Sequence, residues 1–270
     1  MDHISTLTVD DSKERAIRVF ARSGYAARGI VYLLVGGLTT LAALGASGDS
    51  ADSRDALASV LNAPFGKILL AIIALGLLGY SIWRIVQSTK DPDNHGTDLK
   101  GLTIRMALFI SAISHLLLAF YCASLIFTFS SSSSDSGGFT SWLMSQAFGR
   151  WLVGAVGIAV IGSGIAHGIK AWKVKFDDYL EMPSSVKHWA YPVCRFGLVI
   201  RGFVLVLAGL FFLVAAYLVN PEQAGGISKV FNTLREQAFG QWLLAFVAIG
   251  LFTFGLYSLL EAVYRRVALS

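Results

Sequence analysis

Three arginines mark out almost equal lengths of chain. Arg22 to Phe65 is 43 residues, Arg105 to Phe148 is 43, and Arg195 to Phe239 is 44. Each interval opens an apolar run, crosses a polar loop and ends at a short joint followed by a second apolar run. The joints read Ala63-Pro64-Phe65-Gly66, Gln146-Ala147-Phe148-Gly149 and Gln237-Ala238-Phe239-Gly240. A unit of constant length used three times is an internal repeat. It restricts the chain to an architecture made of three copies of helix, loop, helix.

The apolar runs set the class. A membrane-spanning helix needs about 20 mostly apolar residues. Six runs qualify, at 27–46, 66–86, 105–129, 149–171, 196–219 and 240–262. The chain is 55% hydrophobic and 14% charged, whereas soluble domains carry about 25% charged residues. The expected fold class is all-α, a polytopic membrane protein of six transmembrane helices. These form three parallel two-helix repeats, each with a short outer interfacial helix. The expected divisions are a segment 1–21, repeat one at 22–91, repeat two at 100–175 and repeat three at 195–266, in one membrane domain.

Charge distribution orients the chain. The N-terminal segment, the two connections 84–105 and 170–201 and the C-terminal tail hold 17 Lys and Arg, against five on the opposite side. The positive-inside rule therefore puts both termini in the cytoplasm. The net charge of +5 reflects this topology, and no nucleic-acid partner is expected. Residues 1–22 lack the apolar stretch of a signal peptide. The stretch after Lys13 is expected to form a short amphipathic surface helix, with Ile17 and Phe20 facing inward. Cys122 and Cys194 cannot build a disulfide framework and read as free buried thiols.

The three outer loops share a plan. Each begins with small or polar residues, Ser130–Ser134 being a flexible run. Each then carries apolar residues at helical spacing: Leu57, Val60 and Leu61; Phe139, Trp142 and Leu143; Phe231 and Leu234. These predict short helices in the outer interface. The Phe of each joint is expected to anchor there, and its Gly to let the backbone turn. Successive two-span repeats share one orientation, so they relate by an axis along the membrane normal. Three of them predict pseudo-threefold packing, a ring or bundle of six helices.

Several segments resemble a bacterial membrane family known as domain of unknown function 1206. They are Arg22-Ser-Gly-Tyr-Ala-Ala-Arg28-Gly-Ile-Val-Tyr32, Pro64-Phe65-Gly66 and Gly76-Leu-Leu-Gly79-Tyr80-Ser-Ile-Trp83-Arg84. The resemblance covers residues 18–266 and is strongest in repeat one. Repeat three keeps Arg195, Arg201 and Gly202. Repeat two keeps Arg105 but has Ser111 where the second arginine would stand. The resemblance implies three two-helix repeats, a place in the bacterial inner (plasma) membrane or another internal bacterial membrane, and no catalytic residues.

Ionisable groups inside spans are the functional candidates, because burying them in lipid is costly. Arg22, Arg105 and Arg195 sit at the interface and read as topology anchors. Arg28 and Arg201 lie six residues deeper. They either pair structurally, with a carboxylate or with helix-end carbonyls, or meet a substrate or lipid headgroup. Nineteen residues after each joint Phe stand Arg84, His167 and Ser258, and twenty-two after it Gln87, Lys170 and Glu261. At this i, i+3 spacing each pair shares a helix face, so the three repeats would contribute one polar level. Glu261, alone among span carboxylates, is expected to pair with Arg28 or Arg201, or with Arg265 one turn on.

His115 lies near the bilayer middle and aligns with Tyr32 and Leu205. It is either a hydrogen-bonded structural histidine, a proton or substrate contact, or a haem ligand with His167. Helix rise places His167 about 8 Å nearer the cytoplasm, which argues against two ligands on one iron. No cofactor and no metal are expected, and no catalytic constellation is present, so an enzyme is not expected. Gly164-x-x-x-Gly168 reads as a small-residue packing pair. The favoured function is structural or accessory, binding membrane-protein partners or lipids beyond the bilayer itself. The alternative is a small-solute or proton-coupled transporter.

Overall fold

A computed structural model describes residues 2–45, 52–127, 144, 146, 148–224 and 226–267, with side chains from Arg15 onward except those of Ala16 and Pro221. Among these the protein is all-helical, with one isolated bridge between Leu180 and Arg265. We number the helices α1 Asp2–Ala43, α2 Ser53–Leu61, α3 Gly66–Lys90, α4 Leu99–Phe127, α5 Gly149–Trp172, α6 Ser184–Leu218, α7 Ile227–Arg235 and α8 Gly240–Tyr264. Six are long and apolar enough to cross a membrane: α1 over Ile17–Ala43, then α3, α4, α5, α6 and α8.

Two boundaries differ from expectation. The N-terminal stretch is no separate surface helix, since α1 runs unbroken from Asp2 into the first span. The fifth span starts at Ser184 and passes straight through Pro192.

The spans form a ring with one open side. Around it α1 packs on α3, α3 on α4, α5 on α6, α6 on α8, and α8 on α1. The sixth interface, between α4 and α5, is open. In repeats one and three the two helices of the repeat touch; in repeat two they separate and leave most of their surface uncovered. Small residues explain which interfaces close, because helices in lipid associate through close backbone approach. A Cβ on Gly164 would come 2.6 Å from the Gly202 carbonyl oxygen, and one on Gly157 2.9 Å from that of Gly209. The α1–α8 contact uses Gly29 against Gly255 in the same way. By contrast Gly168, the other half of the expected packing pair, would meet nothing within 4 Å. Only Gly164 of the pair must lack a side chain, although the Gly168 backbone nitrogen would still lie 3.3 Å from a Cβ on Gly202.

The outer helices seal the far end. In α2 the Asp52 side chain accepts from the backbone of Arg54 at 2.7 Å and Asp55 at 3.0 Å, and the Asp55 carboxylate accepts from the Asp52 backbone N–H, completing a capping box. Ser228 at the start of α7 donates to the other Asp52 oxygen at 2.7 Å, joining repeats one and three. Leu57 and Phe231 are fully buried, so α2 and α7 turn their apolar faces onto the spans rather than into lipid. The matching stretch of repeat two, Phe139 to Leu143, lies outside the described residues.

The joints work differently from expectation. Phe65 and Phe239, not the glycines, take the left-handed conformation, with φ of 60° and 61°. The glycine after each is the first residue of the new helix. A Cβ there would lie 2.3 Å from the Val60 carbonyl oxygen at Gly66, and 2.1 Å from that of Arg235 at Gly240. Its role is close approach to the end of the outer helix. Phe148 of repeat two has an ordinary φ of −109°. All three phenylalanines are exposed, as an interfacial anchor requires.

Candidate functional site

Arg28 is the hub of a polar network inside the ring, near the end that carries both termini. It rises from α1 with Gly24 and Gly29 beside it. Those glycines let Tyr80 of α3 and Leu259 of α8 come against the helix backbone. Its Nε donates to Ser258 Oγ at 3.1 Å. Its two terminal nitrogens donate to the Tyr80 hydroxyl and to the Glu261 carboxylate. The other Glu261 oxygen accepts from the Tyr257 hydroxyl at 2.7 Å and faces Arg265 at 3.3 Å and Lys170 at 3.7 Å. Lys170 also donates to Tyr257 at 2.7 Å.

The network closes on itself. Arg265 reaches Asp93 at 3.0 Å, and Asp93 accepts from Gln87 at 2.6 Å. Gln87 accepts from Arg84 at 3.1 Å, and Arg84 donates through Nε to Tyr80 at 2.7 Å. Tyr80 returns the circuit to Arg28. The bonded groups come from α1, α3, α5 and α8, with Asp93 and Arg265 from the segments that follow α3 and α8. Burial works against the charge of Arg265, but Tyr25, Asp93 and Glu261 outweigh it and hold its pKa above the ordinary value.

Of the sequence candidates, Arg28, Arg84, Lys170 and Glu261 are thus brought together. Glu261 pairs with Arg28 and with Arg265 at once, and not with Arg201. The remaining three stand beside the network without bonding to it. His115 lies on Tyr80, ring centroids 4.6 Å apart, and His167 on Phe254 at 6.0 Å. Tyr80 and Phe254 are equivalent positions, each fifteen residues after its joint Phe. The two imidazoles therefore sit against matching levels of the ring, despite the offset that helix rise alone suggests. Side chains lean toward the N-terminus of their helix, and α4 and α5 are antiparallel, so the two rings lean toward each other. Each Nδ1 meets the carbonyl four residues back at 2.8 Å, Ser111 for His115 and Ser163 for His167. A carbonyl only accepts, so Nδ1 carries the proton and Nε2 is a bare acceptor. Neither Nε2 has a partner among the described residues.

Arg201 of α6 stacks on Tyr32 at 4.8 Å and on Phe254 at 5.9 Å. It makes no hydrogen bond or ion pair among the described residues, and its buried Nη1 is left without an acceptor. Arg105, read as an interfacial anchor, donates to the carbonyls of Ser88 at 2.7 Å and Thr89 at 3.0 Å at the end of α3. Helix-end carbonyls are met by Arg105, then, and not by Arg28 or Arg201.

Sequence reasoning passed over Tyr80, Trp83, Phe254 and Tyr257. The signal was present: repeats one and three carry aromatics fifteen and eighteen residues after the joint Phe, where repeat two has Ser163 and Ala166. Those aromatics fill the ring between the helices of repeats one and three, and their absence accompanies the opening in repeat two. Among the described residues no three His, Cys, Asp or Glu side chains gather as a metal site would need.

Comparison with known proteins adds the family. The model of the family described as Domain of Unknown Function (DUF1206) matches at residues 23–91, 106–174 and 196–265. A relative described as "Uncharacterized protein YxxB", from Bacillus subtilis (strain 168), is 29% identical over 254 residues, which cover 93% of this chain and 92% of that one. No solved structure matches the chain. With three matches that together take in most of its length and all six apolar helices, the chain belongs to the DUF1206 family of membrane-like helical proteins.

Proposed function

We propose that this protein is a structural or accessory membrane protein that binds lipids or partner membrane proteins, and that it is not an enzyme. The observation that carries the proposal is the opening in repeat two. Helices α4 and α5 each leave most of their surface uncovered, Phe109, Ile113 and Phe120 of α4 and Leu152, Val156 and Ile165 of α5 being exposed, and no close packing joins the two helices. In a bilayer only lipid or another apolar helix can fill such a gap. At the centre of the interior network Glu261 is 2% exposed and has both oxygens occupied, which favours a structural role over a proton path. We place both termini in the cytoplasm of a bacterial inner membrane, on the distribution of Lys and Arg.

Purification in mild detergent, followed by native mass spectrometry, tests the reading. Lipid or protein adducts should survive at stoichiometric levels; a bare monomer under every condition would sink it. One observation favours transport as a second reading: the Nε2 atoms of His115 and His167, on rings packed against Tyr80 and Phe254, have no partner among the described residues and are free to bond a solute. Solute uptake by reconstituted vesicles that is abolished by His115→Ala would support that alternative.

A further inference from the structure

The charges inside the ring do not balance. Arg28, Arg84, Lys170, Arg201 and Arg265 bring five positive charges, and Glu261 and Asp93 bring two negative ones. Uncompensated charge in a membrane interior is expensive. Four of the five cations bond within the network. Arg201 does not: its guanidinium carbon lies 4.8 Å from the Tyr32 ring centre and 5.9 Å from that of Phe254, and its buried Nη1 has no acceptor. A guanidinium so held suits an oxyanion, which it binds through paired N–H donors.

Beside it stand two groups of the opposite kind. His167 shares the Phe254 ring with Arg201, His115 lies on Tyr80 at the equivalent position of repeat one, and both offer a bare Nε2. Such an atom repels a phosphate oxygen and attracts a hydroxyl. Arg201 and the two imidazoles together therefore call for a ligand with an anionic group and neutral O–H donors. The open interface between α4 and α5 adds apolar walls on the membrane side.

We propose that the ring binds an anionic phospholipid with a hydroxyl-bearing headgroup, of the phosphatidylglycerol class, which enters sideways between α4 and α5. The phosphate lies against Arg201. The headgroup hydroxyls donate to Nε2 of His115 and His167, and the acyl chains leave through the gap over the exposed faces of α4 and α5. This inference rests on the lipid-binding reading of the protein and narrows it to one headgroup.

The test uses the full chain, stripped in detergent and offered equal amounts of phosphatidylglycerol, phosphatidic acid and phosphatidylcholine, with retained lipid read by native mass spectrometry. The native protein should keep phosphatidylglycerol about tenfold over phosphatidylcholine, the scale of one charged hydrogen bond. Arg201→Gln should erase that preference and Arg201→Lys should keep it. His115→Ala with His167→Ala should erase the preference for phosphatidylglycerol over phosphatidic acid and leave the preference for anionic lipid intact. Thermal unfolding of each variant separates loss of binding from loss of fold, and the lysine and histidine variants decide the matter if Arg201→Gln does not fold.

An anionic preference unmoved by Arg201→Gln overturns the proposal, as does equal retention of all three lipids, although the lipid-binding reading survives both. No retained lipid at all removes that reading too. Displacement of phosphatidylglycerol by millimolar inorganic phosphate would make a free anion the ligand. A porphyrin absorption band in the purified protein would make the two imidazoles cofactor ligands. Either of these results also overturns the proposal.

Discussion

Arg28 of α1 donates to the carboxylate of Glu261 of α8, 233 residues later in the chain. The contact joins the first span to the last and closes repeat one on repeat three. Both side chains are almost fully buried, so neither charge has water to fall back on.

Truncating one partner should therefore cost more than the pair itself contributes. Glu261→Ala is expected to destabilise the protein by about 3–5 kcal/mol, because it leaves Arg28 charged and unpaired. Replacing both, as Arg28→Met with Glu261→Leu, should recover the part of the loss due to Arg28, while Lys170 and Arg265 still lack the carboxylate they face. Thermal unfolding in detergent checks this, and a double variant no more stable than Glu261→Ala would refute it.

The glycines of α5 predict a sharp contrast between two substitutions four residues apart. Gly164→Ala puts a methyl group 2.6 Å from the Gly202 carbonyl oxygen and should destabilise by about 1–3 kcal/mol as α5 is pushed off α6. Gly168→Ala meets nothing. It should be neutral or stabilising by up to about 1 kcal/mol through helix propensity. Equal effects at the two sites would mean that α5 packs otherwise than described.

At the joints the same logic separates neighbouring residues. Gly240→Ala should destabilise by at least about 1–3 kcal/mol, since its Cβ would lie 2.1 Å from the Arg235 carbonyl oxygen. Phe239→Gly should cost less, because glycine adopts the φ of 61° freely. Melting temperatures of the two variants, compared with the native chain, decide the order.

Membrane orientation is open to labelling. Asn62 and Lys175 are exposed at opposite ends of the ring, whereas Cys122 and Cys194 are buried. A membrane-impermeant maleimide should label Asn62→Cys in intact cells and Lys175→Cys only after permeabilisation. The reverse pattern would invert the topology.

Much of this protein is legible in its sequence. Six spans, their grouping in three repeats and the outer helices of repeats one and three follow from length and periodicity, since a lipid environment forces every spanning backbone into helices. The polar level near the termini was legible too, because Arg84, Lys170 and Glu261 recur at fixed distances from the joints. What could not be read was how those groups pair. Glu261 had three candidate cations, and the choice of Arg28 and Arg265 over Arg201 depends on Gly24, Gly29 and Gly255 drawing α3 and α8 against α1. Nor did equal repeats imply an unequal ring. The gap at repeat two depends on aromatics that fill the ring at Tyr80 and Phe254 and are missing at Ser163. That is a difference of side-chain volume, which acts only once helices distant in the chain are placed side by side. Local sequence determined the helices and their order. Packing between repeats decided which charges are satisfied, which one is not, and where the ring stays open.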